Sequence, residues 1–208
     1  MRGRFGCAGL ALALGLAAAV AMPAPTSARA AADVDLGAEF RGADDTRVWL
    51  AVLARHHDRD PADTARLAAR VTDPDELATL LFVAARATRP AETVLALRTR
   101  GLSWWEISGR LGLPVEVWFP SVRFDPGPPF NRPYAAWRRL RETHEPFPGL
   151  DDGQARDLVV VRLLSEYFGA PVETAMAWRA GGRDARALAA TEYRRRHGTE
   201  RKPRSGGG

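Results

Sequence analysis

The sequence predicts an all-α protein, on three observations. Helix-start chemistry recurs at short intervals: Asp60-Pro61, Asp73-Pro74-Asp75-Glu76, Ser103-Trp104-Trp105-Glu106 and Asp151-Asp152 each offer a side-chain oxygen to the first free N–H groups of a helix. Apolar residues follow these starts at helical spacing, as in Val160, Leu163, Leu164, Tyr167 and Phe168. Glycine or proline then closes most segments. About eight to nine short helices are expected, in one domain over residues 31–198.

Taken in order, Asp44 or Asp45 caps a first helix carrying Val48, Trp49, Val52 and Leu53. Asp60-Pro61 starts a second, expected to run through Val71. Asp73, with proline at the first helical position and Glu76 at the third, starts a helix holding Leu77, Leu80, Leu81 and Ala84. Pro90 opens the next, which ends at Gly101. The Ser103–Glu106 capping box starts a helix that closes at Gly112, with Trp104, Ile107 and Leu111 on one face. Trp104 is therefore expected to be buried, and Trp105 more exposed, near Gly127-Pro128-Pro129-Phe130.

Residues 114–149 change character. Eight prolines interleave with aromatic rings, and the stretch reads as a long ordered loop with a helix from about Tyr134 to His144. Asp151-Asp152 caps a helix from Gly153 to Phe168. Its Leu158-Val159-Val160-Val161 run suits a strand as well, but the acidic cap and the 3.6-residue period favour helix. Pro171 opens a helix ending at Gly181-Gly182, and Asp184 caps the last. From Thr199 onward, glycine, proline and charge predict a disordered tail over 199–208.

Residues 77–101 align with 158–182 at a shift of 81. Leu77, Pro90, Glu92, Thr93, Ala96, Arg98 and Gly101 match Leu158, Pro171, Glu173, Thr174, Ala177, Arg179 and Gly182. Reused helix-start chemistry explains the prolines and acids but not the matched Arg and Gly, so a duplicated helix–Pro–helix unit flanking the aromatic loop is expected. Pro61-Ala62-Asp63-Thr64 reads as a third, degenerate copy.

The first thirty residues address the chain. A cationic start at Arg2 and Arg4 precedes an uncharged apolar run from Gly9 to Met22, prolines break it, and Ala28-Arg29-Ala30 has the small-x-small form of a cleavage site. This is the layout of a signal peptide over 1–30, predicting a periplasmic or secreted protein with no stable membrane span after cleavage. The alternative is an uncleaved N-terminal anchor. Cys7 is the only cysteine and leaves with the leader, which removes disulfides, thiol nucleophiles and thiolate metal sites from the mature chain. The whole chain carries 30 basic against 25 acidic residues, but Arg2, Arg4 and Arg29 lie in a leader without acids. Part of the remaining excess sits in the tail, in Arg194-Arg195-Arg196 and Arg201-Lys202-Pro203-Arg204. The folded body is near neutral, which argues against nucleic acid as a partner.

Candidate sites are few. Gly101 to Pro114 (Gly-Leu-Ser-Trp-Trp-Glu-Ile-Ser-Gly-Arg-Leu-Gly-Leu-Pro) resembles the core of a helix-turn-helix. Its second helix, Pro114 to Phe119, offers no Arg, Lys, Asn or Gln to a groove, so a DNA-binding regulator is the weaker alternative. The same Gly-x-Ser-Trp-Trp segment, followed by Gly127-Pro128-Pro129-Phe130, resembles a group of uncharacterised, predicted exported bacterial helical-repeat proteins. That resemblance implies architecture and export, and it carries no catalytic residues over. His56-His57-Asp58-Arg59-Asp60 is the only imidazole cluster. Adjacent helical side chains diverge by about 100°, so capping and solvation are expected there rather than metal. No cofactor is expected.

The aromatic loop is the leading candidate for binding, through Trp105, Trp118, Phe119, Phe130, Tyr134 and Trp137, since rigidly displayed Trp and Tyr dominate interaction hot spots. The competing reading places these rings in the core between the two repeated units. The expected function is that of an exported, non-catalytic interaction or structural protein of the cell envelope, its partner an envelope protein or polymer. The alternative is a small exported enzyme acting on cell-wall polymers through carboxylates that the sequence does not single out.

Overall fold

The computed structural model describes residues 44–197. The leader and the tail expected from the sequence lie outside them. Among the described residues there are nine α-helices, one four-residue 3-10 turn and no strand.

Helix α1 (Asp45–His56) begins where the Asp44 carboxylate accepts from the Arg47 N–H at 2.8 Å, and it buries Val48, Trp49, Val52 and Leu53. Helix α2 (Pro61–Ala68) is capped by Asp60. It ends three residues before the expected Val71, because the Arg70 N–H turns back to the Leu67 carbonyl and tightens the last turn. Helix α3 (Pro74–Arg86) starts on Asp73, and every residue from Leu77 to Ala84 is buried. Helix α4 spans Ala91–Thr99. Helix α5 (Trp104–Arg110) has the full capping box: Ser103 Oγ accepts from the Glu106 N–H, and Glu106 Oε2 accepts from the Ser103 N–H.

The long loop contains more order than the sequence suggests. Val115–Trp118 forms the 3-10 turn. Helix α6 (Asn131–Thr143) starts three residues before the expected Tyr134, since Pro133 is tolerated in a first turn whose N–H groups have no helical acceptor. Helix α7 (Asp152–Phe168) includes the Leu158–Val161 run. Leu158, Val159, Val160, Val161, Leu163 and Leu164 are all buried, so the middle of α7 is enclosed, while Arg156, Asp157, Arg162 and Glu166 keep a polar side of the helix for ion pairs. Helix α8 spans Val172–Ala180, and α9 spans Ala185–His197. Asp184 Oδ1 accepts from the Arg186 and Ala187 N–H groups to start α9.

Helix α1 packs on α9 and α3 packs on α7, while α7 also touches α5, α8, α9 and the 3-10 turn. Three connections have a left-handed residue in common. The α1–α2, α3–α4 and α7–α8 turns each place a residue at positive φ (Asp58 at 49°, Thr88 at 51°, Gly169 at 61°), two positions before Asp60, Pro90 or Pro171.

Candidate functional site

The structure separates the six candidate binding aromatics. Trp118, Phe119, Phe130 and Tyr134 are buried; Trp105 and Trp137 are half-buried. The four buried rings are core, as the competing reading of the loop expects, which corrects their assignment as a display surface for binding. The reason is tertiary packing. Phe119 stacks flat on Trp137 at 4.8 Å and meets the edges of Tyr134 at 5.0 Å and Phe147 at 5.8 Å. Trp118 leans on Phe82 of α3 at 5.5 Å. The Tyr134 hydroxyl donates to the Pro120 carbonyl at 2.6 Å, and burial raises its pKa.

Trp104 is buried as expected, and its indole N–H donates to Glu76 Oε2 at 3.0 Å. Trp105 is more exposed than Trp104, as expected. It lies on Phe147 at 5.1 Å and against Gly149. Gly149 has φ +99°, and a Cβ there would come within 3.0 Å of Trp105 Cδ1, so both the backbone and the ring demand glycine.

One large apolar side chain among the described residues stays in solvent: Phe124, 74% exposed. It stands over a groove of about 330 Å³ between residues 124–130 and α8, lined by Pro126, Gly127, Pro128, Phe130, Met176, Ala177 and Ala180. The charged residues of its lining are both acidic, Asp125 and Glu173. Glu173 Oε1 accepts from the Arg123 N–H at 2.8 Å, which helps hold its carboxyl below the usual range. Sequence reasoning read Phe124 only as one of the loop's aromatics and passed over Met176. Their joint position follows from α8 docking against the loop, which no local pattern encodes.

The imidazole pair sits where α1 ends. The His56 and His57 rings stand at 80° with centroids 4.7 Å apart, and His56 Nε2 lies 3.6 Å from Glu166 Oε2. Glu166 also takes Arg162 Nη1 at 2.9 Å and lies 3.8 Å from Arg86. Burial, then the charges of His56, Arg59 and Arg86, push the His57 pKa down to about 3, so its ring is neutral at pH 7. Among the described residues no three His, Cys, Asp or Glu side chains are grouped to hold a metal ion.

The carboxylates at the α3 and α7 starts are committed to arginines. Arg179, with 11% of its side chain exposed, binds Asp75 at 2.6 Å, Asp157 at 2.6 Å and the Arg183 carbonyl at 2.8 Å. Arg98 binds Glu76 at 2.6 Å, Asp152 at 3.0 Å and the Leu102 carbonyl at 2.6 Å, while its guanidinium lies over the Trp104 ring. Burial raises the Asp75 pKa against the pull of Arg179.

The helix-turn-helix resemblance ends at the turn. In place of a recognition helix stands the single 3-10 turn, its Trp118 buried and its Val117 carbonyl accepting from Arg162 at 3.0 Å. No helix among the described residues is long and apolar enough to cross a membrane. No family model matches the chain, and neither the search of curated proteins nor that of solved structures returns a match.

Proposed function

We propose that this chain is an exported, non-catalytic interaction protein of the bacterial cell envelope, and that it docks its partner in the groove between residues 124–130 and α8. The observation that carries this reading is Phe124, three-quarters exposed (74%) beside an apolar trough with acidic Asp125 and Glu173 at its edge. A ring displayed beside a preformed apolar groove gives a partner both an anchor and a trough to fill, the arrangement of an interaction hot spot. The groove favours an apolar peptide segment flanked by Lys or Arg, since the trough takes the apolar part and Glu173 attracts a basic flank. Glu173 makes no ion pair among the described residues, whereas Asp125 is already paired with Arg138. The enzymatic alternative draws no support from the acids at the α3 and α7 starts, because each already neutralises an arginine. Phage display of random 12-residue peptides tests the docking reading. Selected peptides should converge on an apolar core with basic flanks, and Phe124→Ser should abolish their binding without lowering Tm. Absence of convergence, or equal selection by Phe124→Ser, overturns it. Export is tested separately, by a native N-terminus near Ala31 in the secreted or periplasmic fraction.

We also infer that residues 77–101 and 158–182 are copies of one unit. Helices α4 and α8 occupy matching positions, and Gly101 and Gly182 follow them at φ 83° and 71°. At the shift of 81, Glu76 corresponds to Asp157, Arg98 to Arg179 and Leu102 to Arg183, and both arginines bind the matching acid and the matching carbonyl. A positive-φ residue also follows α1, but Asp58 stands three positions before Pro61 where Thr88 and Gly169 stand two before their prolines, so the degenerate copy at Pro61–Thr64 is out of register by one residue. Relatives of the chain should keep the acid and the arginine at both places together; relatives that keep them in one unit only would count against common origin.

A further inference from the structure

We propose that the cleft between the α1–α2 turn and the C-terminal half of α3 binds a phosphoryl group, held by Arg59 and Arg89. The cleft has a volume of about 290 Å³ and is lined by His57, Arg59, Leu81, Ala84, Ala85, Thr88 and Arg89. Every ionisable side chain in that lining is a base. Two arginines converge there without an acid, a contrast with the arginines that hold α3 and α7 together.

Both guanidiniums lack a partner among the described residues. Neither makes a side-chain hydrogen bond or ion pair, and Arg59 Nε is buried with no acceptor. Asp58 and Glu92, acids close in the chain to Arg59 and Arg89, are exposed and pair with neither, and two other acids of the region are engaged elsewhere. Asp60 accepts from the Ala62 and Asp63 N–H groups, and Glu166 is shared by Arg162, Arg86 and His56.

The simplest competing role for these arginines is to serve the carbonyls at the ends of α1 and α3. Backbone donors have already taken three of the last four on each helix. The N–H groups of His57, Asp58 and Arg59 bind the carbonyls of Leu53, Arg55 and Ala54, and those of Ala87, Thr88 and Arg89 bind the carbonyls of Val83, Ala85 and Ala84. The two turns are alike, and each leads straight into one of the unpaired arginines. A buried guanidinium N–H without an acceptor is costly, and an oxyanion relieves that cost.

Phosphate fits the donors best. The planar fork of arginine presents paired N–H groups to oxyanions, and two forks match a tetrahedral dianion better than a single carboxylate. The volume exceeds that of inorganic phosphate, and Leu81, Ala84 and Ala85 give the cleft an apolar wall, so a phosphate ester suits it. The ester could be a soluble phosphomonoester or a phospholipid head group. His57 is the built-in reporter. Around it stand His56 and Arg59 from its own segment, Arg86 and Arg89 from the α3 end, and Arg162 with Glu166 from α7. An anion in the cleft offsets their positive excess and moves the His57 titration upward.

The test is an NMR titration of the His57 ring in the intact chain, with inorganic phosphate, glycerol phosphate, or chloride at matched ionic strength. Saturable shifts with both phosphates, an upward move in the His57 titration, and at least tenfold weaker binding in Arg59→Gln and in Arg89→Gln support the site. Arg89 is exposed, so Arg89→Gln reports on binding even if Arg59→Gln fails to fold. Flotation with vesicles of anionic phospholipid, lost in Arg89→Gln, assigns the head-group source; binding of glycerol phosphate without flotation assigns the soluble one. Shifts that chloride reproduces, or that survive Arg89→Gln unchanged, overturn the proposal.

Discussion

Trp118 shows how a candidate binding residue becomes a core residue. It is 1% exposed, lies against Phe82, and leaves its indole N–H without an acceptor. The ring therefore acts through its apolar surface. Trp118→Ala should destabilise the protein by about 3–5 kcal/mol, the range for deleting a large buried aromatic. Trp118→Phe should cost well under half of that, because it keeps most of the packing and removes the unpaired donor. Urea unfolding of the two variants checks this. A small effect of Trp118→Ala would return the ring to the surface. Trp105 belongs to the rim of the same aromatic assembly, half-buried on Phe147.

At the scale of elements, two arginine clamps tie α4 and α8 to the starts of α3 and α7. Arg179 is the more buried and reaches Asp75, 104 residues away in sequence. Arg179→Leu leaves Asp75 and Asp157 without their counter-charge and should cost about 3–5 kcal/mol. Arg98→Leu should cost less, since its partner Asp152 is 35% exposed and solvent screens the loss. Chemical denaturation decides the order, and an Arg179→Leu effect below about 1 kcal/mol would mean that water already screens this pair. The helices themselves were legible in the sequence because a cap is a local device: Asp44, Asp60, Asp73, Ser103, Asp151 and Asp184 each bind N–H groups two or three residues ahead. The clamps were not legible as ion pairs, although the matched Arg98 and Arg179 marked their positions.

The whole molecule couples folding to pH through its histidines. The His57 pKa falls to about 3 in the fold from 6.5, and burial lowers that of His56 as well despite Glu166. As pH falls below 6.5 the unfolded chain binds protons that the native state refuses, so stability declines. For one proton the slope approaches about 1.4 kcal/mol per pH unit. Asp75 acts in the opposite sense nearer its own range, since its raised pKa lets the native state take a proton first. Between pH 6.5 and about 5 the histidines should dominate. Urea midpoints in phosphate-free buffer should fall over this interval, and His57→Gln should flatten the decline. A flat wild-type profile would show that His57 is solvated.

Sequence alone determined the all-α class, nearly every helix start, and the inner face of α5 with Trp104 buried. It determined these because cap hydrogen bonds and helical periodicity act within a few residues. The export reading also rests on sequence alone, on residues 1–30. Only the tertiary structure decided the fate of the aromatic loop, where Phe119, Tyr134, Trp137 and Phe147 close on one another and Phe124 alone remains outside. Only the tertiary structure decided which arginines find acids, Arg98 and Arg179, and which do not, Arg59 and Arg89. Burial and charge pairing depend on which helices meet, and α7 brings together segments that lie far apart in the chain.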